Sequence, residues 1–143
     1  MSTAIDPTVY TALLAAAEKA LNRALELAPG SSARLNELGD CVFALHCTAP
    51  PLDVYLLPGD DRIRLMGVYD GPVTTSVRGL ASDFTELATA TDPTATLING
   101  SLELDGDSAP LIELQKILTG LEIDWEAPLV STLGDVAGHQ VAQ

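Results

Sequence analysis

The sequence predicts an α+β domain, with helices layered on an antiparallel sheet of about five strands. Three observations predict it. Apolar residues recur at helical spacing from Val9 to Ala28; the period shifts towards two between Cys41 and Arg78; and helical spacing returns after Gly79, interrupted by one further strand at Ser101 to Asp105.

The first helix opens at Asp6-Pro7, a carboxylate able to cap free backbone N–H groups followed by a proline whose fixed φ suits a first turn. Val9, Leu13, Leu14, Ala17, Leu21, Leu25 and Ala28 form its apolar stripe until Pro29-Gly30 ends it. Ser32 to Leu38 reads as another helical turn or two, closed by Gly39. Cys41 to Cys47 then carries apolar residues on both faces, so this strand belongs in the middle of the sheet. Asp53 to Leu57, Arg62 to Tyr69 and Val73 to Arg78 follow as strands, separated by turns at Pro58-Gly59-Asp60-Asp61 and Asp70-Gly71-Pro72. Four strands joined in this way predict an antiparallel meander.

Past Gly79, Ser82 or Asp83 can cap a short helix holding Phe84 and Leu87, and Asp92-Pro93 opens another holding Leu97 and Ile98. The glycine-bounded strand Gly100-Ser101-Leu102-Glu103-Leu104-Asp105-Gly106-Asp107 feeds a helix from Ser108 to Leu118 with Leu111, Ile112, Leu114, Ile117 and Leu118. A last apolar segment carries Ile123, Trp125, Leu129, Val130 and Leu133. There is no internal repeat or low-complexity tract.

At 143 residues the chain fits a single domain spanning 1–143 and is long enough to bury roughly 70% of its unfolded surface. Hydrophobic residues make up 47% but aromatics only 4%, so the interior must be mostly aliphatic. Seven basic residues against 20 acidic ones give a net charge of −13, which repels the phosphates of nucleic acid and disfavours electrostatic attachment to anionic membranes. Cys41 and Cys47 are the only cysteines. On one extended strand their Cα atoms would lie about 20 Å apart, far beyond the roughly 7 Å limit for a disulfide, so they are expected as free thiols, which favours the cytoplasm. No stretch has the length or pattern of a signal peptide or a membrane span.

The residues assemble no catalytic constellation. His46 and Cys47 are neighbours, but adjacent strand residues point to opposite faces. Asp60-Asp61 and Asp105-Gly106-Asp107 lack the run of ligands within about 12 residues that a calcium loop collects, and serve better as turns and caps. Gly100 and Gly106 lack the lysine and the further glycines of a phosphate cradle. No catalytic residue, metal ligand or cofactor is expected. By pattern alone the apolar residues are the core of any α+β domain.

Four stretches in order resemble the sterol carrier protein type 2 domain, and within it the UbiJ-type accessory factors of bacterial ubiquinone biosynthesis. They are Leu21-Asn22-Arg23-Ala24-Leu25-Glu26-Leu27-Ala28-Pro29; Ile63 through Gly71 with Thr75-Ser76-Val77-Arg78; the glycine-bounded strand; and Trp125 with Gly134-Asp135-Val136-Ala137. The resemblance covers nearly the whole chain. It implies an apolar cavity between sheet and helices, lined by Val54, Leu56, Ile63, Leu65, Phe84, Leu87, Leu102, Leu104, Leu111, Leu114 and Leu118. Tyr55, Tyr69, Arg64 and Thr75 are the candidates for holding a polar head group, and Trp125 is a candidate either for packing over the mouth or for simple core packing. Members of the family continue into a charged helical tail associated with a small coiled-coil partner of the UbiK type, so the resemblance implies either that such a tail follows Gln143 or that this member lacks it.

The function so implied is non-enzymatic: a cytoplasmic accessory factor of aerobic ubiquinone biosynthesis that binds hydrophobic isoprenoid-quinone intermediates or other lipids and presents them to the biosynthetic enzymes. Two rival classes are carried beside it. One is a scaffold that assembles a biosynthetic complex through an apolar groove without binding lipid. The other is an enzyme acting on lipid thioesters or amines, for which the sequence supplies neither nucleophile nor base.

Overall fold

The protein was analysed as a computed structural model, which describes residues 7–49 and 51–121. The Asp6 cap, Trp125, the Gly134-Asp135-Val136-Ala137 stretch and the last apolar segment expected from the sequence lie outside those residues.

Helix α1 (Pro7–Glu26) is followed by α2 (Pro29–Asn36), where Pro29 sits in the first turn and opens the new helix as well as closing the old one. Strands β1 (Phe43–Thr48), β2 (Pro51–Gly59), β3 (Arg62–Met66) and β4 (Thr75–Gly79) come next, then α3 (Ala81–Thr89), α4 (Pro93–Asn99), β5 (Glu103–Gly106) and α5 (Ser108–Thr119). Of the expected caps, Asp92 is the N-cap of α4, whereas α3 starts at Ala81, ahead of both Ser82 and Asp83, with Leu80 as its N-cap. Asp92 accepts from the Ala95 N–H with Pro93 in the first turn. Asp83 sits inside α3 and reaches back to accept from the Leu80 N–H at 3.0 Å.

The five strands form one sheet in the order β3-β2-β1-β4-β5. Strand β1 is central, as its two apolar faces predict. The four-strand antiparallel meander is overturned: β4 pairs with β1, not β3, and the β1–β4 ladder is parallel, with Phe43 opposite Thr75 and Leu45 opposite Val77. A meander would strand β1 at the edge, where its doubly apolar sequence would face water. Instead β3 ends at Met66, and residues 67–74 carry the chain from the β3 edge past β2 and β1. The other three ladders are antiparallel.

Between β2 and β3, Gly59 pairs with Arg62 and leaves the two-residue turn Asp60-Asp61. Both aspartates have positive φ, 55° and 61°, as a primed hairpin turn requires. Asn36 of α2 secures the turn. Its amide nitrogen donates to Asp61 Oδ1 at 2.6 Å, and its oxygen accepts from the Asp61 N–H at 2.7 Å.

Strand alternation sorts the sheet into two faces. Leu45, Val54, Leu56, Ile63, Leu65, Val77 and Leu104 join Phe43 on the face covered by helices, where Leu25, Leu35 and Ile117 complete the core. Ala44, His46, Tyr55, Arg64 and Arg78 point to the opposite face. Helix α1 lies along the outer edge of β3 and satisfies its unpaired backbone. Asn22 bonds both polar groups of Ile63, and Glu18 accepts from the Leu65 N–H at 2.8 Å.

Candidate functional site

An open groove of about 660 Å³ runs between the helices and the sheet. Helix α1 contributes Ala17 and Leu21, and the sheet contributes Leu45, Val54, Leu56 and Leu65. The facing wall is Ala88 and Thr89 at the end of α3, with Gln115, Leu118, Thr119 and Leu121 on and just after α5. No charged side chain lines it among the described residues. A leucine-rich chain folds this way locally because β1, β2 and β3 each send alternate aliphatic residues to one face, while the helical stripe of α5 opposes them.

Of the eleven residues expected to line a cavity, Val54, Leu56, Leu65 and Leu118 meet at this groove. Ile63, Leu87, Leu102, Leu111 and Leu114 are buried in the core beside it, and Phe84 and Leu104 pack half-buried against that core. Leu21, Leu45 and Gln115 line the groove without having been among the expected lining residues.

The four head-group candidates are not at the groove. Tyr55, Tyr69 and Arg64 lie on the opposite face of the sheet: Tyr55 shares that face with His46, and the Tyr69 ring lies 5.8 Å from the Tyr55 ring. Thr75 faces the helices but is fully buried, and its hydroxyl donates to the Asp107 carbonyl at 2.6 Å.

Gln115 is the buried polar side chain at the groove. It is 7% exposed, and its amide nitrogen donates to the carbonyls of Leu87 at 2.9 Å and Ala90 at 3.0 Å. Both partners are acceptors, which fixes the orientation of the amide. Gln115 thereby ties α5 to the C-terminal end of α3, where the Leu87 carbonyl also accepts from the Ala90 N–H at 3.3 Å.

On the far face, His46 Nδ1 lies 2.7 Å from Asp53 Oδ1, and the Tyr55 ring meets the imidazole edge-on at 6.1 Å. Cys47 points to the other side of β1, so the histidine has no thiol beside it. Cys41 and Cys47 are free thiols, both half-buried. The described residues contain no cluster of histidine, cysteine and carboxylate side chains able to hold a metal. None of their helices is long and apolar enough to cross a membrane. Tyr10, on α1, has a buried hydroxyl with no partner among the described residues, and burial, then the nearby Asp53 and Tyr55, pushes its pKa above the usual 10.0.

A helix layer folded over one face of this five-stranded sheet is matched by a family model, that of the SCP-2 sterol transfer family, over residues 21–119. The chain belongs to the SCP-2 sterol transfer family. The matched span holds all the lining of the groove except Ala17 and Leu121. No curated protein matches the chain significantly. Among solved structures, the SCP-2 chain described here is similar to "UbiJ-SCP2 Ubiquinone synthesis protein", with a TM-score of 0.63 and 23% identity over 74% of this chain and 92% of that one. It is also similar to part of the stereoselective inverting sec-alkylsulfatase Pisa1 from Pseudomonas sp., with a TM-score of 0.50 and 16% identity over 68% of this chain but 15% of the sulfatase. Both likenesses are likenesses of fold.

Proposed function

We propose that this protein is a non-enzymatic, cytoplasmic accessory factor of aerobic ubiquinone biosynthesis, which holds hydrophobic isoprenoid intermediates in the groove and presents them to the biosynthetic enzymes. The observation that carries the reading is the groove itself: an open, largely aliphatic groove, uncharged among the described residues, on the helical face of an SCP-2 domain whose fold is similar to that of a ubiquinone synthesis protein. An isoprenoid tail laid along it leaves water at roughly 25 cal/mol per Å² of apolar surface. Val54, Leu56, Leu65 and Leu118 would touch the tail, with the remaining expected residues forming the packed wall behind them. A coiled-coil partner of the UbiK type would be met through sequence outside the groove.

Organic extraction of protein purified from its native host, followed by mass spectrometry for prenylated phenols and quinones, tests this reading. Near one lipid per chain is the expected result. A blank from well-folded protein would favour the second reading, a scaffold whose groove receives apolar side chains of a partner helix. The open side of the groove, which admits a side chain as readily as a lipid, is the observation in its favour.

A further inference from the structure

The groove's polar side chains share one property. Gln115 uses both amide hydrogens on the carbonyls of Leu87 and Ala90, so only its Oε1 is left to offer, and no described residue donates to it. Thr89 spends its hydroxyl hydrogen on the Thr85 carbonyl at 2.9 Å, and Thr119 spends its own on the Lys116 carbonyl at 3.1 Å. A hydroxyl has one hydrogen to give, so each threonine also presents lone pairs alone. Among the described residues, the polar side chains that touch the groove therefore accept hydrogen bonds and donate none.

We propose that Gln115 is the head-group receptor of this groove: its Oε1 accepts a hydrogen bond from a neutral hydroxyl or phenol at the end of a long apolar ligand. The inference rests on the lipid-binding reading and adds the chemical class that the groove selects. A carboxylate or phosphate head would bring acceptors to acceptors. It would also bring a charge to a lining that, among the described residues, has no cation to pair with it, which is costly away from water. A hydroxyl completes the one oxygen of a 7%-exposed amide left without a donor among the described residues. The close fixing of Gln115 by two hydrogen bonds means that this oxygen is held in place before the ligand arrives.

The test is equilibrium binding at neutral pH of three ligands to the full chain and to Gln115→Met: geranylgeranylated phenol, the matching geranylgeranylbenzene without the hydroxyl, and a fatty acid of equal chain length. For the unaltered chain, the phenol is expected to bind about tenfold more tightly than the deoxy compound, the worth of one hydrogen bond to an otherwise unpaired group. The fatty acid is expected to bind more weakly than the phenol. Gln115→Met should erase the gap between phenol and deoxy compound. If that variant does not fold, the ligand series on the unaltered chain decides by itself, because a merely apolar groove prefers the more hydrophobic deoxy compound. Equal binding of phenol and deoxy compound, or fatty acid binding as tight as the phenol, overturns the role of Gln115 and leaves lipid binding standing. Binding of none of the three overturns both.

Discussion

Asn22 and Ile63 are bonded twice: the Asn22 amide nitrogen donates to the Ile63 carbonyl at 3.0 Å, and its oxygen accepts from the Ile63 N–H at 2.8 Å. One side chain on α1 thus does for the β3 edge what a sixth strand would do, and an exposed edge is a template for aggregation. Asn22→Leu keeps the size and removes both bonds. It is expected to cost about 2 kcal/mol in urea unfolding, and to promote association of the folded protein, read by light scattering.

Leu118 and Leu114 sit on the same helix, one at the groove and half-buried, the other 3% exposed in the core. A charge at the first would meet a lipid held in the groove as proposed; a charge at the second meets the interior. Leu118→Asp is expected to retain the native circular dichroism and lower lipid affinity at least about tenfold, since a buried charge without a partner costs several kcal/mol. Leu114→Asp is expected to unfold the domain.

The Tyr10 hydroxyl makes the alkaline limb of stability sensitive to one residue. Its folded pKa lies above the unfolded 10.0, so the unfolded chain loses this proton first. Stability conferred by the neutral ring is then fully present below pH 10 and declines as pH rises towards the folded value. Tyr10→Phe is expected to remove this contribution to the decline. At neutral pH it should raise stability by up to about 1 kcal/mol by deleting a buried hydroxyl that lacks a partner among the described residues, measured by the urea midpoint at unchanged slope.

Gly106 ends β5 with φ at 98°, and a Cβ there would fall against the Thr74 carbonyl oxygen. The same carbonyl accepts from the Asp107 N–H. Gly106→Ala is expected to destabilise the fold by about 2 kcal/mol or more, with the loss concentrated in protection of the β4 and β5 amides in hydrogen exchange.

Much of this architecture is legible in the residues. The doubly apolar Phe43–Cys47 run places β1 centrally, Asp60-Asp61 marks a tight hairpin, and Asp92-Pro93 starts a helix. The meander was the wrong inference because it treated every strand connection as a hairpin, although a central β1 already required a second neighbour. Two of the head-group candidates, Tyr55 and Arg64, failed on a rule the sequence itself contains. If Val54 and Leu56 face the groove, Tyr55 cannot, and the same alternation separates Arg64 from Ile63 and Leu65. Gln115 did leave a trace, as the one polar residue on an α5 stripe that also carries Leu111, Leu114 and Leu118. What the pattern could not give is its partners, since the carbonyls of Leu87 and Ala90 come from a helix that lies more than twenty positions away.

The groove divides its lining between two contiguous stretches of chain. Ala17, Leu21, Leu45, Val54, Leu56 and Leu65 precede the 67–74 connection, and Ala88, Thr89, Gln115, Leu118, Thr119 and Leu121 follow it. A molecule lying along it would therefore be a non-covalent cross-link between the first half of the protein and the second. It would act alongside the parallel β1–β4 ladder that already joins them. Cargo held there could leave only at the expense of that cross-link, so retention of the ligand and cohesion of the two halves would rise and fall together.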